Sequence, residues 1–109
     1  MNKFKLKPED IKELIPSMGY CLASDIITVE GLKVGFMYRE EPEEADDSGW
    51  RFLSGTETQE YIDNDKNIMI FDVNTIANYD PAIIAYIKMY VGTELERIEG
   101  TEEFREIKV

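Results

Sequence analysis

The sequence predicts one α+β domain, with a mainly antiparallel sheet of about five strands and two or three short helices packed on it. Three observations predict it. With 109 residues, 43% of them hydrophobic, the chain can build one modest core and has no room for a second. Short segments alternate apolar and polar residues with a period of two, as strands do. Between them stand short segments that begin with helix-capping residues.

The first third of the chain predicts a helix followed by a hairpin. Proline at position 8 and the two acids after it favour a helix start, so we expect a helix over 8–15. Residues 20–39 contain two apolar segments around the turn candidate Glu30-Gly31 and predict an antiparallel hairpin.

The middle of the chain predicts a loop, a strand, a helix and a second strand. Residues 40–47, called the acidic loop from here on, hold six carboxylates and one proline, which oppose regular structure. A short strand over 50–53 ends at Ser54-Gly55, and Thr56 with Gln59 has the spacing of a capping box for a helix through Asp63. The apolar run within 67–73 predicts a central strand covered on both faces.

The last third predicts a helical turn, a helix and an edge. Residues 74–78 form a turn of helix, and Asp80-Pro81 begins a helix over 82–90 that Gly92 closes. An edge strand or hairpin follows in the tail after residue 93. We therefore treat 1–109 as one domain, with a core at about 20–98 to which the helix 8–15 and the tail 99–109 are additions.

Composition excludes several classes of function. The net charge is −11, and residues 40–109 hold 18 acidic and 6 basic side chains, which opposes nucleic-acid binding and favours a basic partner. Without histidine, the chain lacks imidazole acid-base catalysis and Ser-His-Asp sites. One cysteine, no signal-peptide pattern and no long apolar run lead us to expect a cytoplasmic protein without cofactor, metal or membrane contact.

Two candidate sites are better explained as structure. Residues 63–67 resemble the start of a calcium loop, but Ile68 stands where a glycine must turn the chain and Asn74 where a bidentate Glu is needed. Cys21 has no neighbouring histidine or lysine, so a buried thiol is expected.

A long sequence motif indicates a protein family more specifically than the composition does. It comprises V-G-F-M-Y-R-E-E-P at 34–42 and D-S-G-W-R-F-L-S-G at 47–55, with I-F-D-V-N-T-I at 70–76. This pattern resembles the immunity protein 33 group of polymorphic toxin systems, a family of small bacterial domains without assigned catalytic residues. The matching positions are Tyr38, Arg39, Asp47, Ser48, Gly49, Trp50, Arg51, Ser54, Gly55 and Asp72.

The resemblance implies a non-enzymatic cytosolic protein that neutralises a cognate bacterial toxin, or a stand-alone relative whose partner is unidentified. The excess of acidic side chains adds the expectation that the toxin presents a basic surface. The expected contact residues are Glu43, Glu44, Asp46, Asp47 and Trp50, although tryptophans are more often core.

The same motif also has a structural interpretation. Arg39 and Arg51 are candidates to pair with Asp47 or Asp72 and to hold the acidic loop against the sheet. Two alternatives stay open: a small-ligand binder or enzyme with a pocket near Trp50, Arg51 and Asp72, and a domain that self-associates through an edge strand.

Overall fold

The computed structural model describes residues 3–107 and shows one α+β domain, as predicted. Its mixed, mostly antiparallel sheet has six strands where the sequence predicts about five. The strands are β1 (Tyr20–Ser24), β2 (Phe36–Arg39), β3 (Asp47–Leu53), β4 (Ile68–Asp72), β5 (Glu94–Arg97) and β6 (Phe104–Glu106). The helices are α1 (Asp25–Thr28), α2 (Gln59–Asp63) and α3 (Val73–Tyr79), with 3-10 turns at Pro8–Asp10, Asp65–Asn67 and Pro81–Ala85.

The strand that carries the motif lies at the centre of the sheet. The strand order is β4-β1-β3-β2-β5-β6, and β1 with β3 is the parallel pair. The predicted hairpin over 20–39 is therefore wrong, because β3 lies between β1 and β2. The hydroxyl of Ser24 accepts a hydrogen bond from the Ile26 amide and caps α1, so the chain turns away where the hairpin would continue.

The core fills one side of the sheet. Large side chains of β2, β3 and β5 point to that side, and α1, α3 and the turn at Pro81–Ala85 cover it. Its fully buried large side chains include Ile27, Val34, Met37, Trp50, Phe52, Val73, Ile76, Ile83 and Leu95. Each contributes about 1.5–3 kcal/mol by leaving water, so this layer is the main stabilising element of the fold.

The N-terminal helix is shorter than predicted. Only Pro8–Asp10 is helical, and Ile11 already has extended backbone angles. Beyond it, Asn74 of α3 accepts hydrogen bonds from the amides of Leu14 and Ile15, at 2.8 and 3.2 Å. These long-range bonds provide acceptors for the amides of Leu14 and Ile15 while the segment is extended. The segment therefore does not need helical hydrogen bonds.

Two further helix predictions change in detail. The cap of α2 is Thr58, whose hydroxyl accepts from the Tyr61 amide, instead of Thr56. The predicted helix 82–90 is a 3-10 turn that ends at Ala85, although Asp80 caps it as expected by accepting from Ala82.

The strand predicted as central is an edge strand. β4 pairs with β1 alone among the described residues, and Ile70 is 64% exposed. Met69 and Phe71 face the core side, whereas Ile68 and Ile70 face the opposite side of the sheet. In the tail, the predicted hairpin is present as β5 and β6.

A buried ion pair that sequence analysis missed joins the last elements to the core. The Asp80 carboxylate is fully buried, pairs with the Arg97 guanidinium and accepts from the Val34 amide at 3.0 Å. Arg97 also lies over the Phe104 ring, 4.8 Å from its centre. This pair fixes the C-terminal hairpin to the turn at Pro81–Ala85.

Candidate partner-binding site

The acidic loop is exposed over residues 40–46, and its last residue, Asp47, begins β3. The loop connects two neighbouring strands, so its ends are fixed while residues 41–46 between them are exposed. Of the expected contact residues, Glu43, Glu44 and Asp46 lie on this exposed segment.

A buried charge cluster holds the end of the loop. The Arg51 guanidinium donates two hydrogen bonds to the Asp47 carboxylate, at 3.0 and 2.8 Å, and one to Glu40 at 2.6 Å. The Asp47 side chain is 0% exposed and that of Arg51 is 4% exposed. We call these three residues the clamp. The predicted pairing of Arg51 with Asp47 is thus confirmed.

An irregularity in β3 makes the clamp possible. Residues four apart on a regular strand are separated by about 13 Å, too far for a direct ion pair. Between its pairings with Tyr20 and Leu22, β3 advances four residues while β1 advances two. This bulge at Ser48-Gly49 brings Asp47 back toward Arg51.

Gly49 is required at the bulge. Its φ is +86°, and a Cβ at this position would lie 2.3 Å from the Glu40 carbonyl oxygen. The Glu40 amide also donates to the Gly49 carbonyl at 2.9 Å. The glycine therefore lets the first residue of the loop approach β3 closely.

Hydrogen bonds shift the ionisation of the groups around the loop. Those from Arg51 hold the pKa of Asp47 well below its usual range, aided by the amides of Glu43 and Gly49. The Tyr20 hydroxyl donates to Glu44 at 2.7 Å, which raises the pKa of Tyr20 to about 12. The Asp47 carboxylate is thus ionised at neutral pH.

The structure places Trp50 and Asp47 inside the fold, which removes them from the expected set of contact residues. The Trp50 indole is 0% exposed on the core side, where Nε1 donates to the Ile87 carbonyl at 2.8 Å. A partner on the surface cannot reach it. Asp47 is equally enclosed because its carboxylate oxygens bind Arg51 and two backbone amides.

The other motif residues also have structural roles. Arg39 forms no ion pair with Asp47 or Asp72; its guanidinium donates to the carbonyls of Ser48 and Met89 and lies 5.7 Å from the Trp50 ring. The Ser54 amide and hydroxyl both donate to Glu57, closing the turn at Ser54-Gly55 before α2.

The three residues of the alternative pocket do not converge. Arg51 lines a groove of about 440 Å³ on the side of the sheet that faces away from the core, which we call the open side. Trp50 lies on the core side, and Asp72 lines a separate cleft beside Gly19. The Arg51 guanidinium is already bound to two carboxylates. It therefore has no free charge with which to hold an anionic ligand.

Cys21, the single cysteine of the chain, is buried. Burial raises the pKa of the Cys21 thiol, so the group is protonated and enclosed. Across residues 3–107, His, Cys, Asp and Glu side chains do not form any group of three able to hold a metal ion. Within the same range, no helix has the length and apolar character needed to span a bilayer.

The site thus combines an exposed acidic loop with a buried clamp at the ends of the loop. The family model for the Immunity protein Imm33 domain matches residues 21–108, which include the clamp, the acidic loop and the C-terminal hairpin. The chain belongs to this immunity-protein family. The match extends beyond the core of about 20–98 expected from the motif. Comparisons with curated proteins and with solved structures gave no match.

Proposed function

We propose that this protein neutralises a cognate bacterial toxin in the cytosol by binding it, without catalysis, through the acidic loop. The observation that supports the proposal is the clamp, which holds the backbone at both ends of the loop that exposes Glu43, Glu44 and Asp46. Membership of the Imm33 family supplies the class of partner.

Two physical effects make such a loop useful for binding a toxin. A negative surface raises the rate of encounter with a basic one, by tenfold or more at low salt. A loop that is already ordered loses less conformational entropy when the partner docks. The loop thereby contributes to both the rate and the affinity of the complex.

The test measures association with the toxin domain encoded beside this chain. The triple variant Glu43→Gln/Glu44→Gln/Asp46→Asn removes the proposed contacts. The control Glu9→Gln/Glu13→Gln/Glu99→Gln removes the same charge from exposed positions elsewhere. We expect the association rate constant at low salt to fall about tenfold in the loop variant and less than threefold in the control.

Equal rates for the two variants would contradict a role for the loop. Absence of any complex between the wild-type protein and the toxin domain would contradict the proposed function as a whole. Urea unfolding of both variants shows whether the substitutions leave the fold intact.

A further inference from the structure

The open side of the sheet carries an apolar groove that the acidic loop does not explain. The groove has a volume of about 440 Å³ and lies between β4 and β2, with α2 at one end. Its apolar lining comprises Leu22, Tyr38, Leu53, Ile62, Ile68 and Ile70. Ile70 is 64% exposed, which is unusual for a large aliphatic side chain on a strand because its contact with water is unfavourable.

The groove is continuous with the acidic loop. Arg51 lies in the groove lining and binds Glu40, the first residue of the loop. Tyr38, another lining residue, pairs in register with Arg51 across β2 and β3. One partner can therefore contact both features at once.

Two carboxylates lie at the groove. Asp65 lies in its lining, and Glu94 stands opposite Tyr38 on β5. The Arg51 charge in the lining is balanced by the two carboxylates of the clamp, and Asp65 is the other charged side chain of the lining.

This charge distribution selects the occupant. In a symmetric pair of identical chains, the same acidic rims would face each other and repel, and each chain carries a net charge of −11. An apolar side chain flanked by lysine or arginine satisfies both the lining and the rim.

We infer that the groove seats an apolar side chain from a basic segment of the toxin and so anchors the complex that the acidic loop steers. The inference rests on the proposed function for its partner. The loop and the groove have separable roles: the loop acts mainly on the association rate, and the groove acts mainly on the dissociation rate.

The kinetic test uses two matched variants and the same toxin domain. Ile70→Glu places a charge in the groove, whereas Leu32→Glu places it at another exposed aliphatic residue, 42% exposed, outside the groove lining. Both change the net charge equally. We expect the dissociation rate constant to rise tenfold or more for Ile70→Glu and less than twofold for Leu32→Glu.

A second test does not need the toxin. Two synthetic pentapeptides are titrated into the 15N-labelled protein, one with leucine and one with serine at the centre, each with two lysines on either side. We expect the leucine peptide to shift the amide signals of Leu22, Leu53 and Ile70 more than the serine peptide, and Ile70→Glu to abolish the difference.

The outcomes separate the two proposals. Unchanged dissociation in Ile70→Glu, together with slowed association in the loop variant, would overturn the groove inference and leave the proposed function in place. Identical shifts with both peptides would overturn the inference as well. A dimer of the free protein that Ile70→Glu dissociates would assign the groove to a second copy of the chain and also overturn it.

Discussion

Removing the Asp47 carboxylate is the sharpest perturbation of the clamp. The Glu43 and Gly49 amides donate to different oxygens of Asp47, so Asp47→Asn keeps an acceptor for only one of them. It also removes the buried counter-ion of the Arg51 guanidinium, whose side chain is only 4% exposed. Breaking one side of a buried ion pair costs about 3–5 kcal/mol. Glu40 still binds Arg51 from the surface, so we expect a loss of about 3 kcal/mol in the free energy of unfolding.

Urea unfolding at pH 7 measures this loss, and thermal unfolding should show a drop in Tm of more than about 10 °C. The control is Asp46→Asn, an exposed neighbour, for which a change within about 0.5 kcal/mol is expected. The double variant Asp47→Asn/Arg51→Met removes both charges and should recover about 1 kcal/mol or more relative to Asp47→Asn.

The dependence on pH gives an independent check. Because Arg51 lowers the pKa of Asp47 in the folded state, the stabilisation is complete above the unfolded pKa of about 3.9 and is lost as the pH falls through the folded pKa. The difference between wild type and Asp47→Asn should therefore shrink below about pH 4. A loss smaller than about 1 kcal/mol at pH 7 would refute the clamp as a stabilising element.

Three other predictions follow from local geometry. Gly49→Ala should destabilise the fold by about 2 kcal/mol or more in urea unfolding, since it adds a backbone clash to positive-φ strain. Gly100→Ala, which has positive φ and open space around it, should cost about 1 kcal/mol, and equal costs would argue against the clash. In a spectrophotometric titration the phenol of Tyr20 should titrate at about pH 12, because it donates to Glu44, and Glu44→Gln should lower that pKa; no change would show that the hydrogen bond is not its cause. The Cys21 thiol should resist alkylation by iodoacetamide at pH 8 in the native protein and react on unfolding in urea, and fast native reaction would contradict its burial.

Local patterns predicted the parts of the fold that depend on neighbouring residues. The cap at Asp80, the loop at 40–46 and the C-terminal hairpin all follow from signals within a few positions. The order of the strands did not follow, because β3 pairs with β1 across more than twenty residues of chain and no short-range signal marks that pairing.

The error at β4 has a different cause. The consecutive apolar residues 68–71 predict a strand that is covered on both faces, and both faces of β4 are indeed apolar. Only one face is covered in the described part of the chain. A sequence shows how apolar a face is but not whether the fold or a partner covers it, so the groove could not be separated from core.

At the site, the sequence predicts the pairing of Arg51 with Asp47 but not the third clamp residue, Glu40. The prediction places Asp47 and Trp50 among the partner contacts together with the exposed acids, because all of them lie close together in the chain. The bulge at Ser48-Gly49 brings the Asp47 side chain into the clamp. The alternation of side chains along β3 places Trp50 in the core. That geometry has no signature beyond a glycine in a strand.

The ends and the tip of the acidic loop have different roles because the clamp binds only the ends. Residues 40 and 47 at its ends hold the backbone in place, whereas the side chains at 41, 43 and 46 make none of the hydrogen bonds that stabilise the fold. Substitutions at those tip positions should cost little folding free energy and, under the proposed function, should redirect recognition toward a different toxin. A library of new specificities can accordingly be built on an unchanged scaffold.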